Sequence, residues 1–557
     1  MLKNGKKGIT LISLVLTIII LLILATISIQ SLTNTGLFAK AQEAKEKTKN
    51  ATENQAKILN EYEDELNKYV SGASKVDTDW TGKVNKPKLM AGMTAIKFTD
   101  PTGDEKANEG SVVKTTDTDT AYYDYDAKKW ANAQTQDGSM WVWIPRFAYK
   151  VNKSTQTFDI VFLKDTTNNY VENGTEKNAE TEGYTIHPAF KNESSTGYEN
   201  GGWDKDLTGI WVSKFEAGFA SGNNSATVKE SSVKYTQASA YVSRSEVGTD
   251  STSTARNFLD GEYGVKSGSN YTFKNGTAPS IKYPTFQGLT YSMNYINHND
   301  AFNISKTLTE SGNIYGLSNS STDSHMMKNS EWGAVAYLSQ SKYGLNGANI
   351  YINNANLNNT SKSVYAVTGC AGATADASSV ATTITELNNR TASGVYVWTQ
   401  KSGTNASTTG TIYGIYDMSG GIWERTAGLV NNGNSNLSTY GQSLMNALNN
   451  EKSSKYVTVY PHDSSVDKTG ANIDTASAAN WKANTKIYGD GIRETSTAGT
   501  GKTSWHTDYS CFPAVGGPFS LRGGNLWDGE GAGLFYFYRN SGGSDFDNGF
   551  RSVLVAQ

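Results

Sequence analysis

Cysteine and charge are both scarce in this chain, and each shortage excludes a class of protein. The 557 residues include only two cysteines, Cys370 and Cys511, so at most one disulfide can form and a disulfide-rich scaffold is excluded. Charged residues make up 18% of the chain and the net charge is −3, so no basic excess favours a nucleic-acid partner. The sequence leaves open whether the two cysteines pair or stay as separate buried thiols.

Motifs of common catalytic and metal sites are also absent. The five histidines are scattered, and no His-Glu-x-x-His, Cys-x-x-Cys or Gly-x-x-x-x-Gly-Lys pattern occurs. The nucleophile-elbow pattern of Ser-His-Asp hydrolases is missing as well. Oxygen-rich loops could hold calcium, but no EF-hand spacing points to a site. We therefore expect no enzymatic activity and no cofactor, and we assign no metal site.

The residues that are abundant indicate a secreted, loop-rich protein with many strands. Glycine, serine, threonine and asparagine are frequent, and there are 31 tyrosines and 12 tryptophans. A chain of 557 residues is also too long for one core of ordinary size. Alternation of β-forming residues predicts strands over 141–150 and 209–217. Long polar tracts at 221–280 and 430–500 indicate insertions or functional loops.

The N-terminus begins with a basic segment and an uncharged apolar run. Lys3, Lys6 and Lys7 precede residues 9–29, which carry no charge and are long enough to cross a bilayer as a helix. Basic residues before a span predict a cytoplasmic N-terminus, which would place residues 31–557 outside. A cleaved secretory signal or a plain membrane anchor are the alternatives.

Residues 6–14 (Lys-Lys-Gly-Ile-Thr-Leu-Ile-Ser-Leu) resemble the leader of type IV prepilins. The resemblance implies that a prepilin peptidase cuts after Gly8, and that Ile9 becomes the first, methylated residue. Ser13 stands where that family has a glutamate that pairs with a neighbouring subunit. The absence of that glutamate puts polymerisation with other pilin-like subunits in doubt and favours a minor-pilin or pseudopilin-like role.

The organisation that follows from these patterns has six parts. We expect a leader at 1–8, a membrane or pilin-core helix at 9–30, a charged helical stalk at 31–70, a linker at 71–88, a β-type segment at 89–139, and the main ectodomain at 140–557. The β-type segment is either a small separate unit or an edge extension of the ectodomain.

The C-terminal segment at about 520–551 is the most distinctive part of the ectodomain. An Arg-Gly-Gly motif (Arg522, Gly523, Gly524) and a Gly-Phe-Arg motif (Gly549, Phe550, Arg551) bracket residues rich in Gly, Asn, Asp, Ser, Tyr and Trp. Between them, a period of two places Phe535 and Phe537 on one face of a strand, and Leu534, Tyr536 and Tyr538 on the other. Tyr and Trp among Ser, Gly and Asn are also typical of antibody binding loops.

This segment resembles the variable region of target proteins of diversity-generating retroelements. Those proteins carry a C-type-lectin-like domain of the formylglycine-generating-enzyme (sulfatase-modifying-factor) type. Residues 414–424, with Asp417 and Glu424, and residues 330–337 resemble two further segments of that family. The resemblance covers roughly residues 140–557 and implies an α+β fold: a long pilin-like helix followed by a lectin-like ectodomain rich in loops and short strands.

The resemblance also implies a role for each C-terminal residue. The structural residues are expected to be Arg522, Gly523, Gly524, Phe535, Phe537, Gly549, Phe550 and Arg551. The ligand-binding residues, expected to be exposed, are Asn525, Leu526, Trp527, Asp528, Glu530, Leu534, Tyr536, Tyr538, Arg539, Ser541, Ser544, Asp545, Phe546 and Asp547. Asp417 and Glu424 are expected to be structural rather than catalytic.

Oxidases related to this family are the enzyme alternative. Their reactive cysteine pair follows the Arg-Gly-Gly motif, but this chain has no cysteine between Arg522 and Gln557. We therefore expect a bacterial cell-surface adhesin, membrane-anchored or pilus-associated, that binds a protein or glycan ligand and no nucleic acid. The alternative is a structural minor pilin or pseudopilin without diversified binding.

Overall fold

A computed structural model describes residues 79–218, 264–267, 270–273, 283–294, 296–356, 366–372 and 374–557. Contacts divide the chain into Met1–Asp77 and Thr78–Gln557, and all described residues belong to the second unit. The leader, span and stalk expected at 1–70, with Gly8 and Ile9, lie outside the described residues. No helix in the described part of the chain is long and apolar enough to cross a membrane.

The strands, numbered in chain order, are β1 (Thr94–Phe98), β2 (Val112–Lys114), β3 (Asn132–Gln134), β4 (Met140–Pro145), β5 (Phe147–Asn152), β6 (Thr157–Phe162), β7 (Asn169–Glu172), β8 (Thr175–Asn178), β9 (Thr185–Ile186), β10 (Gly209–Ser213), β11 (Gly264–Ser267), β12 (Asn270–Phe273), β13 (Thr322–Met326), β14 (Ala355–Asn356), β15 (Cys370–Gly372), β16 (Val380–Ala381), β17 (Val395–Val397), β18 (Trp423–Val430), β19 (Thr458–Tyr460), β20 (Thr500–Gly501), β21 (Ser510–Cys511), β22 (Phe519–Gly523), β23 (Gly533–Asn540), β24 (Asn548–Phe550) and β25 (Ser552–Ala556).

The α-helices of the described residues are short: α1 (His298–Lys306), α2 (Asn329–Ser339), α3 (Ile384–Asn389), α4 (Ser435–Tyr440), α5 (Gln442–Asn446) and α6 (Ile473–Ala483). The fold is thus mixed α and β, mostly strands and loops with few helices. The tract at 430–500, expected to be an insertion or a functional loop, contains the regular elements α4, α5, β19 and α6.

Sheet 1 brings the first and last strands of the described region together. Its seven strands run in the order β13-β25-β10-β4-β3-β1-β2. The terminal strand β25 lies between β10 and β13, with Leu554 opposite Trp211 and Val553 opposite His325. Strands β1, β2 and β3 extend the same sheet, so the segment at 89–139 is an edge extension rather than a separate unit.

Both faces of the central part of sheet 1 are buried because strands β4 and β10 are almost entirely apolar. In β4, Trp141 and Trp143 pack into one core cluster, while Val142 and Ile144 pack into another on the opposite face. Successive side chains of a strand point to opposite faces, which explains how one continuous apolar run fills two cores. The strand expected over 141–150 ends at Pro145, and β5 continues in a separate three-stranded sheet.

Sheet 2 carries the C-terminal segment. Six of its seven strands run in the order β19-β18-β22-β23-β21-β20, and β24 pairs with β18. Helix α2 is buried along its whole length and joins this sheet to the rest of the domain. Its Trp332 indole donates a hydrogen bond of 2.7 Å to the backbone oxygen of Leu534 on β23. Gly333 lies against Gly489, where a Cβ atom would come within 2.0 Å of the backbone oxygen.

Candidate functional site: an aromatic surface on the C-terminal strands

The Arg-Gly-Gly motif ends β22 and turns the chain back toward β23. Gly523 and Gly524 have φ angles of +86° and +74°, which side chains other than glycine rarely adopt. A Cβ atom on Gly524 would also approach the Cα of Ala532 to 2.7 Å. After this motif the chain reverses direction, and β23 pairs antiparallel with β22. Arg522 of β22 lies opposite Phe537.

Arg522 lies beneath this turn and is fully buried. Its Nη1 donates to the backbone oxygen of Asp490 at 2.9 Å, and its Nη2 donates to that of Leu534 at 3.4 Å. The guanidinium also lies over the Trp332 ring, 5.5 Å from the centroid. Arg522 thus connects β22, β23 and helix α2, and it does not face the surface.

Arg551 forms a second buried centre between β24 and β25. It is fully buried and contacts both carboxylate oxygens of Glu424, from Nε at 2.9 Å and from Nη2 at 2.6 Å. It also donates to the backbone oxygens of Ser213 and Tyr416, at 2.7 and 2.8 Å. Because Ser213 ends β10 and Glu424 lies in β18, this arginine ties sheet 1 to sheet 2.

Two further carboxylates adjoin the Arg551 centre. Asp417 accepts hydrogen bonds from Gly369 N–H at 2.9 Å and from Asn353 Nδ2 at 2.8 Å, and Glu216 contacts the Ser292 hydroxyl. Burial raises the pKa of Glu424 to about 7 and also raises the pKa of Asp417 and Glu216. All of these groups are enclosed, so Asp417 and Glu424 do not line a surface site.

Strand β23 is buried over most of its length, on both faces. Leu534 and Phe535 pack into the core that contains Trp332, and Phe537 packs against Phe512 and its neighbours. Tyr536 is only 1% exposed because Tyr509 and Tyr538 pack against it. The expected exposure of Leu534 and Tyr536 is therefore wrong.

At the end of β23, four aromatic rings form what we call the aromatic platform: Trp423, Tyr509, Tyr536 and Tyr538. Tyr538 is at its centre, with ring centroids 5.5 Å from Trp423, 6.1 Å from Tyr509 and 6.2 Å from Tyr536. The Trp423 and Tyr538 rings are nearly parallel, at 8°. Tyr509 is 36% exposed, and the Trp423 and Tyr538 side chains are half-buried, so these rings are accessible.

The other residues expected to bind ligand are distributed around the platform. Trp527, Asp528, Arg539, Ser544 and Phe546 are half-buried, and Glu530, Ser541 and Asp545 are exposed, whereas Asn525, Leu526 and Asp547 are buried. Trp527 and Phe546 pack edge to face at 5.9 Å above Leu526, Ala366 and Ile422. The expected exposure of Asn525, Leu526 and Asp547 is wrong, because the loop after β22 folds onto the segment before β24.

The remaining structural residues are enclosed. Gly549, Phe550 and Arg551 are buried where β24 runs parallel to β18, and a Cβ atom on Gly549 would come within 2.5 Å of the Ile422 side chain. Phe535 and Phe537 are likewise buried, at 0% exposure. The segment thus combines an enclosed framework with a smaller accessible surface than the sequence predicts.

A hydrogen-bond chain links the platform to the acidic residues beside it. The Trp423 indole donates to Asp528 Oδ2 at 2.8 Å, and Asn525 N–H donates to the same oxygen at 2.9 Å. The Asn525 side chain then donates to Asp547 Oδ2 at 3.2 Å. Burial raises the pKa of Asp528, and burial together with the nearby charge of Asp545 raises the pKa of Asp547 to about 7.

Asp547 should make stability depend on pH. Its pKa in the folded chain, about 7, lies above the ordinary aspartate value of 3.8, so the folded state holds the proton more tightly. The contribution of this proton to the free energy of unfolding is fully present below about pH 4 and is lost as the pH rises through about 7. In Asp547→Asn, the decrease in unfolding free energy between pH 5 and pH 8 should be smaller by about 1 kcal/mol or more.

Urea titrations at pH 5 and pH 8 measure this difference. Asp126→Asn changes the charge of the chain equally, but at an exposed ion pair with Lys83, and it serves as the matched control. The prediction would be contradicted if the unfolding free energy fell by the same amount between pH 5 and pH 8 in wild type and in Asp547→Asn.

Sequence reasoning missed two residues of the platform. Trp423 belongs to the segment at 414–424, in which roles were predicted only for Asp417 and Glu424. Tyr509 lies 27 positions before Tyr536, and no local pattern connects the two. Because β21 pairs with β23 as a parallel neighbour, only the sheet brings Tyr509 to the site.

The two cysteines are both free and buried. Burial raises the pKa of the Cys370 and Cys511 thiols, which favours the unreactive protonated form. Cys511 contacts the Arg539 guanidinium and the Ser477 hydroxyl, the latter at 3.8 Å. No group of three or more His, Cys, Asp or Glu side chains among the described residues could hold a metal ion.

Comparison with known proteins leaves the site to be interpreted from its own geometry. The chain matches no protein-family model, and no curated protein is significantly similar to it.

Proposed function

We propose that this chain is a surface-displayed binding protein whose C-terminal segment contacts a protein or glycan ligand. The observation that carries the proposal is the aromatic platform, a group of rings held by an enclosed framework and still accessible at Trp423, Tyr509 and Tyr538. Tyrosine and tryptophan supply large contact area at low entropic cost, which suits a binding surface.

The position of the platform supports a lectin-like domain of the diversity-generating type. The terminal strand β25 pairs with the early strand β10, and Arg551 connects both sheets beneath the surface. Such a framework would tolerate replacement of exposed residues, because its stability comes from enclosed groups. We propose that exposed positions between Gly524 and Gly549 vary and that the enclosed ones do not.

The genomic neighbourhood tests the diversification part of this proposal. A reverse-transcriptase gene beside a near-copy of the segment encoding residues 525–548 would support it. Sequence differences between the two copies should fall on exposed codons such as those of Ser541 and Asp545. A locus with neither feature would contradict diversification and would favour either a binding protein of fixed sequence or a structural pilin-like subunit.

Replacing Tyr538 with alanine should weaken ligand binding at least tenfold, because its ring is central to the platform and aromatic anchors dominate such surfaces. The measurement is binding of the labelled full-length chain to a glycan array and to intact bacterial cells. Tyr184→Ala removes a half-buried tyrosine that precedes β9 in another sheet, and it should bind as wild type does. Equal binding by all three chains would contradict the prediction.

We further propose that the N-terminus is a prepilin-type segment that anchors the domain at the cell surface. The observation behind this is Lys7 and Gly8 followed by the uncharged run at 9–29. N-terminal sequencing of membrane-extracted protein should begin at Ile9, and Gly8→Leu should abolish cleavage. A chain that begins at Met1 would instead indicate a plain anchor.

A further inference from the structure

The surface around the aromatic platform carries negative charge that no described cation neutralises. Asp528, which is half-buried, and Asp545, which is exposed, form no ion pair with any residue that the structure describes, and Asp547 is buried beside them. The two cations nearby are already paired, since Lys502 contacts Glu530 and Arg539 lies 3.3 Å from Asp474.

These three aspartates lie close to one another and to Trp423. Asn525 bridges the carboxylates of Asp528 and Asp547, and Trp423 N–H donates to the backbone oxygen of Asp547 at 2.7 Å. Asp545 lies two positions before Asp547 and is exposed. Like charges held together without a counter-ion repel one another, and a cation brought by a partner would relieve that repulsion.

The rings of the platform also suit a cation. The face of an aromatic ring carries the negative part of its quadrupole and attracts ammonium and guanidinium groups. The chain itself places a guanidinium there, since Arg539 lies 5.4 Å from the centroid of the Tyr538 ring. Trp423 and Tyr509 provide further accessible ring area beside the aspartates.

We propose that the ligand of this surface is a positively charged segment of a partner protein. Lysine or arginine side chains of that segment lie on the accessible rings, and their charges are neutralised by Asp528 and Asp545. This inference rests on the binding function proposed above and specifies its ligand class: charge complementarity favours a basic peptide over an uncharged glycan.

The test uses the full-length chain and three fluorescein-labelled probes: tetra-arginine amide, tetra-glutamine amide and the uncharged sugar maltohexaose. Fluorescence anisotropy should show tetra-arginine binding most tightly, with an affinity that falls between 50 and 300 mM NaCl because salt screens exposed charges. Asp545→Lys should weaken that binding by about fivefold or more, since an attraction at the surface becomes a repulsion. Tyr538→Leu should weaken it by a similar factor through loss of the ring face.

Glu182→Lys is the matched control, because it makes the same charge reversal at an exposed carboxylate between β8 and β9, and it should bind tetra-arginine as wild type does. Asp545 is exposed, so its variants are expected to fold, and a urea midpoint for each chain verifies this. The proposal is overturned if tetra-arginine does not bind, binds no better than tetra-glutamine, or binds equally to Asp545→Lys.

The outcomes separate this inference from the function on which it rests. Binding of maltohexaose, lost in Tyr538→Leu and without tetra-arginine binding, would keep the platform as a binding site and overturn the basic-peptide ligand. If Tyr538→Ala also binds normally to glycans and cells in the experiment above, the binding function itself fails.

Discussion

Arg551→Met should lower the free energy of unfolding by about 3–5 kcal/mol, because it leaves the buried Glu424 carboxyl without its charged partner. Burial already raises the pKa of Glu424 to about 7 even with Arg551 present, and loss of the arginine should raise it further. Since the folded state then holds the proton more tightly, the variant should lose more stability at pH 8 than at pH 5. Urea unfolding at both pH values measures the difference.

Two further variants identify the cause of that loss. Arg551→Met combined with Glu424→Leu removes both charges and should recover part of the lost stability. Lys83→Met disrupts an exposed ion pair with Asp126 and should leave the urea midpoint unchanged. If the double variant is no more stable than Arg551→Met alone, unpaired charge is not the reason for the loss.

Phe535→Ala and Tyr536→Ala should each cost about 3–5 kcal/mol of stability, because each removes a buried ring and leaves a cavity. Phe535 is enclosed by Trp505, at 5.2 Å between ring centroids, and by Phe158, at 6.4 Å. Tyr536 is enclosed by its aromatic neighbours and is 1% exposed. A denaturant titration of the full-length chain measures both values.

Tyr538→Ala is the matched control on the same strand. Its ring is half-buried, so the variant should unfold close to the wild-type midpoint while losing ligand binding. A silent Tyr536→Ala together with an unfolded Tyr538→Ala would mean that the accessible part of β23 has been assigned to the wrong residue.

Local sequence patterns were sufficient to predict the structure where it depends on a single strand or a single turn. Alternating residues predicted strands at 141–150 and 209–217; β4 and β5 overlap the first range, and β10 lies within the second. The resemblance implied a structural role for Gly523 and Gly524, and both have positive φ angles at the turn where β22 ends. What the pattern at 141–150 did not reveal is that the chain leaves sheet 1 after Pro145 and enters another sheet as β5.

The candidate site shows the limit of such patterns more clearly. A period of two separated Phe535 and Phe537 from Leu534, Tyr536 and Tyr538, but it carried no information on what covers either face. Leu534 and Tyr536 are buried because sheet 2 places β22 and β21 on either side of β23, and other residues cover both faces. Of these five residues, only Tyr538, near the end of the strand, remains partly accessible.

The sequence by itself determined the positions of several strands, and the family resemblance of its motifs implied the mixed α and β character and a structural role for the C-terminal motifs. The strand positions follow from residue spacing, which acts over a few neighbouring positions. Only the tertiary structure decided that Trp423 and Tyr509 join Tyr538, and that Arg551 meets Glu424. Both arrangements depend on strand pairings between distant parts of the chain, and burial is set by those pairings rather than by local sequence.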